Sequence, residues 1–164
     1  MNLFGYKVDV FFLIREGKVL AYAWNFRGEK ALEHLYRIKE FHSLKGEITY
    51  SISLEQWLEQ EIEAVVLKGK KFQLPEVEYK NRKIYEVLLE LERGETMTYS
   101  EFAKKSGFKY QEVLGTLLKN PLQILIPCHR LLTKKGTLMG FYPLGVEVKR
   151  SLLELEGVGS FLIN

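Results

Sequence analysis

Cys128 is the only cysteine among 164 residues, and His129 and Arg130 follow it directly. A thiol attacks well only once it has lost its proton. Its free pKa is about 8.5, and an adjacent imidazole or cation is the usual means of lowering it. Both stand in Pro127-Cys128-His129-Arg130. The apolar run Ile124-Leu125-Ile126 reads as a short buried strand that Pro127 ends or bends, so that Cys128 emerges from a rigid support at the edge of a pocket. Taken alone, a lone cysteine after an apolar run is more often a buried, inert small hydrophobe, so the surroundings must decide. A single cysteine excludes an internal disulfide and a cysteine-based structural zinc site, which fits a reducing compartment and leaves the thiol free to react.

Several elements must position that thiol. Upstream, Lys80 to Glu92 places Ile84, Tyr85, Val87, Leu88 and Leu91 along one helical face, closed by Arg93-Gly94. Two short helices follow, about Ser100–Ser106 (capped by Thr98 or Ser100) and Tyr110–Lys119. The turn Gly107-Phe108-Lys109 between them has the size that joins a helix-turn-helix. Downstream, the strand at 124–126, the Lys134-Lys135-Gly136 turn and a return through Thr137-Leu138-Met139 resemble a wing. Val146 to Leu155 forms an amphipathic helix with Val148, Leu152 and Leu155 inward. In the first half, residues 6–15 and 18–24 pair as a hairpin about Glu16-Gly17, and Glu29 to Phe41 has helical spacing. A third strand, Glu47 to Ser53, leads to a helix near Leu54 capped by Ser53 and running through Trp57, Leu58 and Ile62. The domains expected are an N-terminal α+β unit over 1–72, a linker over 73–79 and a second unit over 80–164.

Composition is that of an ordinary globular protein, 46% hydrophobic and 27% charged. No apolar run approaches the roughly 20 residues of a membrane span and the start lacks a signal-peptide pattern, so an intracellular, cytoplasmic protein is expected, nuclear if eukaryotic. The small positive charge is uneven: residues 80–164 carry 13 Lys+Arg against 9 Asp+Glu. Within 102–136, Lys104, Lys105, Lys109, Lys119, Arg130, Lys134 and Lys135 face one acid, Glu112, the density expected of a surface that meets phosphates. His34 and His42 have no cysteine beside them and read as surface or core-edge residues, not metal ligands.

The pattern Asn120-Pro121-x-x-Ile124-x-Ile126-Pro127-Cys128-His129-Arg130, followed by Gly140-x-Tyr142-x-x-Gly145-x-x-x-Lys149-x-x-Leu152-Leu153-x-x-Glu156, resembles the 6-O-alkylguanine-DNA alkyltransferases, the methylated-DNA-protein-cysteine methyltransferases. The likeness covers roughly residues 78 to 158. It implies an α+β chain in which a small N-terminal ribonuclease-H-like sheet domain precedes a winged helix-turn-helix domain that binds DNA and holds the active site. It also implies irreversible transfer of an alkyl group from the 6-oxygen of guanine, with the 4-oxygen of thymine as a further substrate, to Cys128. One molecule acts once.

In that reading His129 and Glu156 form a relay that draws the proton from Cys128, Tyr99 donates to the departing base, and Asn120 ties the recognition helix to the active-site strand. Pro127, Tyr142, Pro143, Leu144 and Lys149 belong to the substrate pocket; Lys149 and Arg130 have structural or phosphate-facing roles that the pattern does not separate. Pro143 departs from relatives that carry a free amide there. The arginine that fills the gap left by a flipped base is also missing: its position falls on Gln111, beside Glu112, with Tyr110 as the alternative wedge. The resemblance implies a monomer acting on alkylated double- or single-stranded DNA, with no cofactor, metal or membrane. The rival readings are an alkyltransferase-like lesion binder, which lacks the cysteine; a winged-helix transcription factor, which leaves Pro-Cys-His-Arg unexplained; and a cysteine hydrolase, which leaves the helix pair unexplained.

Overall fold

The computed structural model describes residues 1–159; the last five residues of the expected second domain lie outside the described residues. Two short strands, β1 (Asn2–Leu3) and β2 (Tyr6–Lys7), lead into β3 (Asp9–Arg15) and β4 (Lys18–Asn25), an antiparallel pair turned by Glu16 and Gly17. Both turn residues have positive φ, 51° and 76°, as a two-residue hairpin that follows the right-handed strand twist requires. Helix α1 (Gly28–Phe41) buries Ala31, His34, Leu35 and Ile38 against this sheet. Strand β5 (Glu47–Thr49) adds to the far side of β3, giving the order β4-β3-β5. The strand expected to reach Ser53 therefore stops four residues sooner, and helix α2 (Ile52–Val66) is capped by Ser51, whose Oγ accepts from the Leu54 N–H at 3.1 Å. Both serines are good caps; the one chosen turns Leu58, Ile62, Val65 and Val66 inward.

The segment after α2 has no regular structure but is pinned: Tyr79 is buried and its hydroxyl donates to the Leu20 carbonyl of β4 at 2.5 Å. Helix α3 (Arg82–Leu88) is shorter than its apolar period suggests, yet Ile84, Tyr85, Val87, Leu88 and Leu91 are all buried as expected. Strand β6 (Met97–Thr98) then delivers the chain to α4 (Tyr99–Ser106). That helix starts on a capping box between Thr98 and Glu101, and it stops at Gly107, whose φ of 80° puts it in the left-handed region. Helix α5 (Tyr110–Leu117) completes the expected pair.

The run Ile124-Leu125-Ile126 is not a strand. Residues 121–127 form consecutive buried turns, with Ile124 at φ 80° and the Ile126 N–H donating to the Leu122 carbonyl at 2.8 Å. The Asn120 side chain explains the difference: its Oδ1 accepts from the Leu122 N–H and its Nδ2 donates to the Ile126 carbonyl, both at 3.0 Å. A local side chain thus satisfies backbone groups that a neighbouring strand would otherwise take. Cys128–Arg130 form one 3-10 turn, η1, and β7 (Leu131–Leu132) pairs in parallel with β6. Beyond it the chain reverses in a tight loop, with the Thr133 N–H on the Thr137 carbonyl at 3.0 Å. Helix α6 (Val146–Leu155) buries Val148, Lys149, Leu152 and Leu153, whereas Leu155, expected inward, is exposed. The result is a mixed α/β fold, and its main apolar cluster draws on residues from both halves.

The two halves also meet through polar contacts. His34 and His42, both buried on or beside α1, place Nε2 against the Leu118 and Lys119 carbonyls at the end of α5, at 3.1 and 2.8 Å. Since His42 Nδ1 accepts from the Lys80 N–H at 3.0 Å, its Nε2 carries the proton and donates to Lys119. Burial holds both rings below the usual histidine range, His42 down to about 4. Between the ordinary value of about 6.5 and pH 4, the unfolded chain therefore binds more protons than the folded one, so stability falls as pH falls through that window. Urea unfolding at pH 7 and pH 5 should show that loss, and His42→Gln should lessen it; an unchanged pH dependence would assign the titration elsewhere.

Candidate active site

Cys128 sits on the wall of a cavity of about 220 Å³, between the helix pair and the 139–142 segment. Tyr99, at the start of α4, and Gln123, in the turns, flank it. Leu114, Leu117 and Leu118, at helical spacing on and just past α5, supply apolar lining with Met139 and Phe141. Tyr142 stands at the mouth, about half exposed, its ring centre 5.0 Å from that of His34 in an edge-to-face arrangement. The volume is below the roughly 300–1,000 Å³ typical of drug-sized sites. It suits a single flat base with a small substituent.

The thiol is only 7% exposed. Burial raises its pKa, and the Asn120 amide, the Lys149 charge and the Gln123 amide oppose the rise without cancelling it. Asn120 Nδ2 lies 3.4 Å from Sγ, within reach of a sulfur acceptor. At neutral pH the resting site therefore holds a thiol, and its proton must leave during reaction. Behind it, His129 is fully buried; burial lowers its pKa and the Glu156 carboxylate pulls the other way, leaving a neutral imidazole able to accept a proton. Its Nε2 is 3.1 Å from Glu156 Oε1 but off the line of an N–H···O bond, and Nδ1 has no partner. Contacts of this kind commonly align only when substrate is bound.

Glu156, at the end of α6, is also buried. Burial alone would raise its pKa, yet His129 and Arg130 together hold it down to about 2, so the carboxylate is anionic. Arg130 grips it with Nε, at 3.0 and 3.2 Å from the two oxygens, and with Nη2, while Nη1 donates to the Leu91 carbonyl at 2.8 Å. Arg130, one of the expected DNA-contacting residues, is therefore a buried structural cation with every group engaged inside the fold.

Lys149 also differs from expectation. It does not line the cavity but lies beneath Tyr99, donating to the Tyr99 hydroxyl at 2.9 Å and the Leu138 carbonyl at 2.5 Å. Burial pushes its pKa down to about 8, so it is mostly charged at neutral pH. Burial likewise raises that of Tyr99, which stays a phenol. With Lys149 donating to its oxygen, the Tyr99 proton is free to point into the cavity. Pro127 and Leu144 are buried away from the cavity lining, and Pro143 borders an adjoining shallow depression. Lys104, Lys105, Lys109, Tyr110 and Gln111 are exposed on the helix pair, and Lys119 is half-buried, its ammonium 6.0 Å from the Phe41 ring centre. Glu112, the acid among them, accepts from the Lys109 N–H at 3.3 Å and so caps α5.

Comparison with known proteins gives the family. The family model for the DNA binding domain of 6-O-methylguanine DNA methyltransferase matches residues 80–158. A methylated-DNA–protein-cysteine methyltransferase of Thermococcus gammatolerans is 32% identical over 156 residues, covering 89% of this chain and 87% of that one. The chain belongs to the methylated-DNA–protein-cysteine methyltransferase family. A relative of the same name from Methanothermobacter thermautotrophicus is 42% identical over 77 residues, 47% of this chain and 43% of that one. The crystal structure of the O6-methylguanine-DNA methyltransferase of Pyrococcus kodakaraensis superimposes with a TM-score of 0.70 over 92% of each chain, at 24% identity, and so shares the fold.

Sequence reasoning missed Gln123 and the buttress behind it from β4, because the partners are about a hundred residues apart. The leucines of α5 were visible as a helical stripe, which usually means core. In this methyltransferase-family site the buried charges test the assignments. Arg130→Met strands Glu156 and should cost about 3–5 kcal/mol, read as a lower urea midpoint. A phosphate-contacting surface residue would instead leave stability within about 0.5 kcal/mol and flatten the salt dependence of DNA binding.

Proposed function

We propose that this protein repairs DNA by moving an alkyl group from the 6-oxygen of guanine to Sγ of Cys128, once per molecule. The observation that carries the reading is the Cys128 thiol on the wall of a base-sized cavity that it shares with the Tyr99 phenol, with the next residue, His129, set 3.1 Å from the Glu156 carboxylate. In the reaction Sγ attacks the alkyl carbon, the carbon–oxygen bond breaks, and its electron pair goes to the guanine oxygen. His129 takes the thiol proton, and Glu156, held by Arg130, stabilises the imidazolium that forms. Tyr99, polarised by Lys149, donates to the base as it gains negative charge, and guanine finally leaves neutral with one proton restored to it. The 4-oxygen of thymine presents the same alkyl–oxygen bond and is a second substrate. No metal or redox partner enters these steps.

The finer architecture belongs to the same reading: a ribonuclease-H-like sheet unit over 1–72, a connecting segment over 73–79 and a winged helix-turn-helix unit from 80 onward. The helix pair and the tight loop after β7 support the second unit, and the family model begins at its boundary. DNA meets the exposed face carrying Lys104, Lys105 and Lys109, with the target base turned out of the stack into the cavity. Tyr110, exposed at the first residue of α5 and close enough to Tyr99 to add to its raised pKa, stands with Gln111 where a wedge would fill the gap. Work on DNA places the protein in the cytoplasm, or the nucleus of a eukaryote. No helix among the described residues is long and apolar enough to cross a membrane.

Incubation with DNA containing 6-O-methylguanine should add one methyl group to the Cys128 peptide, seen by mass spectrometry, and then stop; continued turnover would overturn the proposal. Cys128→Ser should abolish transfer while binding DNA. For the wedge, Tyr110→Ala should weaken duplex binding by about 1–3 kcal/mol if its ring stacks in the gap, and single-stranded binding less. If instead Gln111→Arg strengthens duplex repair and Tyr110→Ala is neutral, Gln111 occupies that position.

A further inference from the structure

Gln123 lines the cavity beside Cys128, yet it is held from strand β4, about a hundred residues away in the chain. Its Oε1 accepts from Trp24 Nε1 at 2.7 Å, its Nε2 donates to the Tyr142 carbonyl at 2.7 Å, and its own carbonyl accepts from the Tyr22 hydroxyl. An amide side chain has two chemically opposite ends, and packing alone rarely distinguishes them. Here both partners are single-purpose: an indole N–H only donates and a carbonyl only accepts. The Gln123 oxygen must therefore face Trp24, and its NH2 must face the cavity. One N–H of that group holds the Tyr142 backbone. The other is left over at the cavity wall that Gln123 shares with Cys128.

We propose that Trp24 and Gln123 are positioning residues for the transfer: Trp24 fixes the direction of the Gln123 amide, which anchors the Tyr142 wall and gives Cys128 a second N–H donor besides Asn120. The inference rests on the reading of Cys128 as the acceptor. It assigns the N-terminal sheet a part in the chemistry, since Trp24 is a buried β4 residue that does not line the cavity. The Gln123 amide is among the influences that lower the pKa of Cys128 against burial, the direction a donor to the thiolate must have. Tyr22, donating to the backbone of the same residue, locks the turn so that the side chain cannot swing out.

The test reads the thiol itself. The pH dependence of Cys128 alkylation by iodoacetamide is measured in the full-length protein without DNA, alongside thermal melting, for Trp24→Phe, Gln123→Met, Gln123→Glu and the double variant Trp24→Phe/Gln123→Met. Gln123→Met keeps the length and removes the donor, so the half-maximal pH should rise by about one unit, a tenfold loss of thiolate at a given pH. Gln123→Glu should raise it further by placing a carboxylate beside the thiolate. Trp24→Phe keeps an apolar ring and removes the N–H, so it should raise the midpoint in the same direction, and the double variant should match Gln123→Met alone. Unchanged pH profiles with only lower melting temperatures would reduce both residues to packing, and additive effects would show that Trp24 does not act through Gln123. Should either Trp24→Phe or Gln123→Met fail to fold, the isosteric Gln123→Glu decides: a midpoint no higher than that of the unsubstituted protein overturns the proposal. A protein that shows these shifts but takes no methyl group from DNA would refute the repair reading and, with it, the part these residues play in transfer, leaving only their control of the thiol.

Discussion

One side-chain amide holds the nucleophile's platform together. Asn120 accepts from Leu122, donates to the Ile126 carbonyl and reaches Sγ of Cys128, so a single residue at the end of α5 folds the loop and touches the reactive atom. The loop has no strand partner along most of its length and would otherwise bury unpaired backbone groups, which is costly. The same residue therefore couples the position of α5 to that of the sulfur. A shift of α5 moves the amide and with it the environment of the thiol.

Around that platform the protein buries ionisable groups that the fold gathers from positions 99 to 156. Arg130, Glu156 and His129 form one cluster, and Lys149 with Tyr99 forms another that has no carboxylate. Buried charges are usually paired, and the first cluster follows that rule. The second does not, and such departures gather at functional sites. The two differ in charge: the first, with one cation, one anion and a neutral imidazole, balances to zero, and the second carries the unpaired charge of Lys149.

Local rules read much of this in advance. The Glu16-Gly17 hairpin, the Gly107 break and the apolar face of α3 are short-range features, and each was legible; the cap of α4 was narrowed to Thr98 or Ser100, and the structure takes Thr98. The resemblance implied an association of Cys128, His129, Glu156, Tyr99 and Asn120; in the structure Asn120 reaches Sγ, His129 stands against Glu156, and Tyr99 shares the cavity wall with Cys128. The 124–126 segment was misread because apolar runs look alike whether they pair as a strand or are wrapped by a neighbouring side chain. Arg130 stayed between a structural and a phosphate-facing role because charge is visible in a sequence and burial is not. Lys149 was placed in the pocket lining for a similar reason: its link to Tyr99 spans fifty residues. Gln123 had no signal, since its meaning lies in Trp24 and Tyr142, which only the folded chain brings to its two ends.

Strand β4 lies at the edge of the three-stranded sheet, with β3 on one side, and on the other the Tyr22 N–H donates to the Pro121 carbonyl at 2.9 Å. The loop that presents Cys128 thus also covers the sheet's open edge. An uncovered edge of apolar residues is a template for pairing with another chain, and proteins avoid leaving one exposed. Leu20, Ala21, Tyr22, Ala23 and Trp24 form such a run. Lifting the loop from β4 would dismantle the reactive centre and in the same movement uncover a self-complementary strand, so in this fold inactivation and aggregation have a common first step.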